Sequence, residues 1–147
     1  MKKILIFFMF FCVSCGYQPI YLDNNSLNTE FNEIIIIGEE KIKRQIIKGI
    51  NLRENISSNQ KLIIETSYKI IETSKDVKGQ VETYKSLIVA KMRVEEGKKI
   101  LKEKNFSEEF LYRNNDNKYE LKRYQNDIKK NLINSLINEI ILFLRLL

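Results

Sequence analysis

The chain has 147 residues, 25 of them Lys or Arg and 19 Asp or Glu, for a formal net charge of +6. That length supports one domain with a real core and is too short for two comfortable ones. The dispersed positive charge favours anionic neighbours such as lipid head groups or phosphorylated sugars without requiring them. With no histidine and only two cysteines, Cys12 and Cys15, there is no Ser/His/Asp or Cys/His set and no His/Cys zinc site. Five glycines scattered singly form no phosphate-cradling loop. The acidic pairs Glu39-Glu40, Glu95-Glu96 and Glu108-Glu109 are adjacent residues that diverge on a helix or strand, and they read as solvated charge. The chain is therefore expected not to be an enzyme and to need no metal or cofactor.

Lys2 and Lys3, the apolar run Ile4 to Val13 and the small-residue junction Ser14-Cys15 read as a secretory leader. The run is too short to cross a membrane, which takes about 20 apolar residues. Phe11-Cys12-Val13-Ser14-Cys15-Gly16 resembles a bacterial lipobox, with Cys12 where that pattern usually has leucine. The resemblance implies that residues 1–14 are removed and that Cys15 is the first mature residue and the site of lipid attachment, carrying acyl chains such as palmitate. No cysteine is then left for a disulfide. The mature chain would keep 133 residues and a net charge of +4, and nucleic acid is not an expected partner of an exported lipoprotein.

Residues 15–32 are polar, hold the single proline, Pro19, and the stretch Leu22-Asp23-Asn24-Asn25-Ser26, and read as an extended tether lying against the domain through Tyr17, Ile20 and Tyr21. The domain is expected over 33–147. Glu33-Ile34-Ile35-Ile36-Ile37, stopped by Gly38, is a β-branched run that predicts a strand buried on both faces. From 39 to about 54 the period switches, placing Ile42, Ile46, Ile47 and Ile50 on one face of an amphipathic helix whose Glu39 and Glu40 suit its positive end. Asn55 to Gln60 is turn composition.

Lys61 to Ser74 alternates, with Leu62, Ile64, Thr66, Tyr68 and Ile70 on one face and Ile63, Glu65, Ser67, Lys69 and Ile71 on the other. After the polar connection Lys75 to Gly79, Val81 to Glu95 alternates again. Tyr84, Ile88, Ala90, Met92 and Val94 line one face, and Lys85, Lys91 and Arg93 share the other with Leu87 and Val89. Glu96-Gly97-Lys98 is a tight turn. A third strand of the meander runs from Lys99 to about Tyr112 with Ile100, Lys102, Lys104 and Phe106 on one side and a break or bulge at Ser107-Glu108-Glu109. Asn114 to Asn117 offers helix caps. From Lys118 onward, Leu121, Tyr124, Ile128, Leu132, Leu136, Ile140 and Phe143 recur at helical spacing, joined by Ile133, Ile137, Ile141 and Leu144, a long helix expected to pack on the sheet; membrane insertion and partner contact are the alternatives for its apolar last turns. The predicted fold is α+β: a single domain with a mostly antiparallel sheet of about four strands and two helices on one face, in the order strand-helix-strand-strand-strand-helix.

The start of the predicted mature chain, Cys15-Gly16-Tyr17-Gln18-Pro19-Ile20-Tyr21, resembles the Cys-Gly-aromatic-x-Pro-Leu-Tyr opening of the LptE lipoproteins, particularly the alphaproteobacterial type, and the element order matches that family over nearly the whole mature length. Ile20 stands where the family pattern has leucine. The resemblance implies an outer-membrane lipoprotein on the periplasmic side, a subunit of the lipopolysaccharide translocon that plugs an LptD-like β-barrel, assists its assembly and contacts lipopolysaccharide. Because lipid A and the inner core carry phosphates and carboxylates, Lys85, Lys91 and Arg93 are the candidate contacts, against the plainer reading of a solvated sheet face. The competing function is another periplasmic lipoprotein, a lipid carrier or an accessory of a different envelope complex.

Overall fold

The computed structural model describes residues 30–146 apart from 53; the predicted leader, Cys15 and nearly all of the tether lie outside the described residues. The elements run β1 (Glu33–Ile37), α1 (Glu40–Ile50), β2 (Gln60–Lys75), β3 (Val81–Glu96), β4 (Lys99–Arg113) and α2 (Lys118–Leu144). They form one four-stranded sheet in the order β1-β2-β3-β4, with β1 parallel to β2 and the other neighbours antiparallel. The parallel pair requires a crossover, and α1 supplies it. The predicted architecture is the one observed.

Alternation decides what faces the helices. Leu62, Ile64, Ile88, Ala90 and Met92 are wholly buried, Val94 and Phe106 nearly so, and all lie on one face of the sheet. Ile42 and Ile46 of α1, and Ile133, Leu136, Ile140 and Leu144 of α2, fill the layer opposite. Among the described residues no helix is long and apolar enough to cross a membrane; the apolar stripe of α2 is spent on the sheet. Phe31, which the sequence assigns to the tether, is wholly buried and pairs with Glu54 in an isolated bridge, so packing already includes it.

Four local expectations are corrected. β1 lies at the sheet edge and is not buried on both faces: only Ile36 is buried, and Ile37 is 53% exposed. Helix α1 stops at Ile50, short of residue 54, because Asn51 takes the left-handed conformation (φ 51°) while its N–H bonds the Ile47 carbonyl. Ile47 falls at the margin of the apolar stripe and is 52% exposed. Finally, β4 runs unbroken through Ser107-Glu108-Glu109. The irregularity sits six residues earlier in β4, where Val94 opposes Lys102 and Glu95 opposes Ile100, leaving Leu101 as the extra residue of a bulge. Leu101 consequently packs against the core and Ile100 is left half exposed, no longer sharing a face with Lys102, Lys104 and Phe106.

Candidate functional site

The face of the sheet away from the helices carries the three candidate residues. β3 presents Lys85, Lys91 and Arg93 on that face by strict alternation, and the neighbouring strands answer each with a carboxylate. Lys85 Nζ lies 3.1 Å from Glu109 and Lys91 Nζ 3.1 Å from Glu103, both on β4. Arg93 pairs with Glu65 on β2 and approaches Glu95 at 4.0 Å; Lys61 and Glu33 extend the ladder to β1 at 2.9 Å. Ile63, Leu87 and Val89, each partly exposed, lie between the charged pairs. The structure thus brings the three cations onto one surface and simultaneously balances them.

Glu65, Glu103 and Glu109 are the members of this surface that sequence reasoning did not single out. No local signal marked the two on β4: the turn at Gly97 pairs Glu96 with Lys99, which carried on would set Arg93 opposite Lys102, and the bulge at Leu101 brings Glu103 there instead. Pairs this exposed contribute about 0–1 kcal/mol each, so exchanging a glutamate for an anionic ligand costs little. The face is therefore lined by weak, exchangeable ion pairs. One atom stands apart: Arg93 Nε is buried with no hydrogen-bond partner among the described residues.

The helix-facing side contains a second polar group of different character. Ser86 is the one buried polar residue of the described core. Its Oγ lies 2.9 Å from Tyr68 Oη and 3.4 Å from Tyr112 Oη. Tyr112 stacks on Tyr84 and meets Tyr124 of α2 edge-on, both at 5.8 Å between centroids. Lys129 of α2 sits 4.6 Å over the Tyr68 ring and bonds Glu39, ahead of α1, at 2.6 Å. Burial pushes the Tyr68 hydroxyl up, so it stays a neutral hydrogen-bonding group. The set acts as a lock between the sheet and both helices.

The described residues also form concavities. A groove of about 500 Å³ runs between α1 and the edge strand β1, walled by Ile34, Ile36, Ile46, Ile47, Ile50 and Leu52, with Lys43 and Glu54 among its polar residues. At the other end of the sheet a cleft of about 460 Å³ mixes Phe110 and Tyr124 with Arg113, Arg123, Glu120 and Asp127, again balancing its charges. Among the described residues no group of three His, Cys, Asp or Glu side chains is placed to hold a metal ion.

This arrangement of elements has been seen in solved structures. The chain superposes on rare lipoprotein B from Shewanella oneidensis with a TM-score of 0.56, covering 75% of this chain and 91% of that one at 15% identity. Lipoprotein B from Nitrosomonas europaea gives 0.55 over 76% and 82% at 14% identity, and a minor lipoprotein from Acinetobacter baumannii 0.53 over 78% and 91% at 10%. The fold is that of rare lipoprotein B. At these identities the likeness is one of backbone architecture. No family model matches the sequence, and no curated protein does.

Proposed function

We propose that this protein is an outer-membrane lipoprotein, anchored through acylated Cys15 on the periplasmic side, that serves the lipopolysaccharide translocon by plugging an LptD-like β-barrel, helping it assemble and contacting lipopolysaccharide through Lys85, Lys91 and Arg93. It makes and breaks no bond. The observation that carries this reading is the conjunction of a lipobox-like junction at Cys15, the Cys15-to-Tyr21 opening, and a fold shared with lipoproteins of the rare lipoprotein B type.

The physical demands of a plug agree with the molecule. A plug needs a stiff body, and the locked tyrosine network and filled interlayer provide one. It needs an outer surface that sits in a polar lumen without carrying a large unbalanced charge, and the cation–glutamate ladder meets that demand. The carrier alternative calls for room between sheet and helices, where Ile88, Ala90, Met92, Leu136 and Ile140 are instead packed with no exposure.

Affinity purification from outer membranes of the producing bacterium tests the reading. Recovery of a large β-barrel protein with the chain is the expected result, lost on Cys15→Ser because the unanchored chain leaves the membrane fraction. Recovery of bound lipid without any barrel would refute the plug in favour of the carrier.

A further inference from the structure

We infer that the groove between α1 and β1 is the seat of this chain's own segment 17–22, so that the residues before Glu30 complete the domain instead of merely leading to it. The inference rests on the groove and the path of the chain, and not on the function proposed above.

The groove is an unfinished part of the core. Its walls are isoleucines and Leu52; one of them, Ile47, is 52% exposed, and Ile37 at the end of β1 is 53% exposed. β1 pairs with β2 on one side, and among the described residues no strand pairs with its other side. An uncovered apolar edge of this kind is a liability for an isolated domain. Among the described residues one backbone group on that side is guarded near the start of the strand: Glu54 Oε1 accepts the Ile34 N–H at 3.2 Å.

The chain arrives at that place. The Glu30 carboxylate accepts from Asn55 Nδ2, and the Glu30 carbonyl accepts from Ser58 Oγ at 2.7 Å. The Phe31 carbonyl accepts from Asn55 N at 2.8 Å, and Phe31 bridges to Glu54, itself part of the groove lining. Everything preceding Glu30 is therefore tethered beside the groove at high effective concentration. Seven residues lie between Leu22 and Glu30, so the eight steps that join them reach up to about 28 Å, whereas the five residues of β1 span about 16 Å. The stretch Asp23-Asn24-Asn25-Ser26 has the composition of a reversing turn.

The segment has the matching chemistry. Tyr17, Ile20, Tyr21 and Leu22 supply apolar surface, and Ile20 and Leu22 fall on the same side of an extended stretch. Pro19, which has no N–H to offer, is tolerated along a sheet edge. Asp23 is the only charged residue from 16 to 29, and the lining of the groove includes Lys43. With Cys15 acylated as proposed above, a seated segment leaves only Gly16 between the lipid-bearing residue and the groove, and holds the domain against the membrane surface.

Limited digestion of the purified full protein with chymotrypsin tests this, because Tyr17, Tyr21 and Leu22 are its cut sites. Ile47 is half exposed and outside the core, so Ile47→Lys should preserve the circular dichroism and melting transition while raising cleavage at Tyr21 and Leu22 about tenfold. Conversely, Ile20→Ser with Leu22→Ser should speed amide exchange at Ile35 to Ile37. Equal cleavage in the parent protein and Ile47→Lys would overturn the inference. So would a parent that sediments as a dimer and becomes monomeric with Ile47→Lys, since a second copy would then own the groove.

Discussion

Gly38 shows how one residue can decide the path of a chain. It joins β1 to α1 at φ 143°, and a Cβ there would lie 2.1 Å from Thr66 Oγ1 and 2.7 Å from the Thr66 carbonyl oxygen. Thr66 uses that hydroxyl to donate to the Ile37 carbonyl at 3.1 Å, so the crowding atoms belong to the sheet itself and have nowhere to go. Gly38→Ala is expected to cost on the order of 3 kcal/mol, a large share of a domain's stability. Gly79, at the β2–β3 turn with φ 79° and nothing within 4 Å of its would-be Cβ, provides the control: its alanine variant should lose only about 1 kcal/mol. Urea unfolding of both variants checks the contrast, and equal losses would show that backbone conformation alone, without the approach to Thr66, sets the requirement. The sequence marked Gly38 as the end of a strand, and nothing in it announced Thr66, because the contact joins residues 28 apart whose meeting depends on the parallel β1–β2 register.

Between elements, α2 and β4 bring two carboxyl groups together, Glu139 and Glu108. Glu108 lies on the helix-facing side of β4, directly opposite Ile88, where burial first, then the charge and hydrogen bond of Glu139, push its carboxyl above its ordinary value of 4.5, with a bond from Ser135 partly offsetting them. A carboxyl with a raised folded-state pKa binds more protons in the native than in the unfolded state, so its contribution makes stability fall as pH rises above 4.5. Glu108→Gln removes that penalty. The variant should gain on the parent protein in urea midpoint at neutral pH and much less below pH 4.5; a pH-independent gap would mean that Glu108 carries no such penalty. The same residue explains a misreading at the level of elements. Ser107-Glu108-Glu109 looks like a break because two acids interrupt the strand pattern, yet one points outward to Lys85 and the other reaches the rim of α2. The true bulge at Leu101 left no trace in composition, since it arises where the turn at Gly97 and the long antiparallel register disagree by one residue.

At the scale of the molecule, the order of elements and the two faces of β2 and β3 were legible because alternation and helical spacing are local signals, and the long α2 is announced by its caps as well as its stripe: Asn117 accepts from the backbone N–H groups of Tyr119 and Glu120. The candidate surface was half legible. Alternation placed Lys85, Lys91 and Arg93 together, but their glutamate partners come from strands whose register local patterns do not state. Those partners change how the lipopolysaccharide contacts must be tested. Simple charge reversal at position 85 or 91 would press two carboxylates together and confuse loss of binding with damage to the sheet. Exchanging the partners instead, Lys85→Glu with Glu109→Lys and Lys91→Glu with Glu103→Lys, keeps the net charge and both pairs while moving the cations from the central strand to the edge. Arg93 also approaches Glu95 at 4.0 Å, so Arg93→Gln serves there without creating a like-charge pair. The exchanged ladder should hold stability within about 1 kcal/mol of the parent. If the central cations meet phosphate as proposed, capture of lipopolysaccharide by the purified protein should fall about tenfold, the loss expected from roughly one charge-assisted contact. Unchanged capture by a stably folded exchange variant would assign the ladder to holding the sheet face in order and remove these three residues from the binding surface.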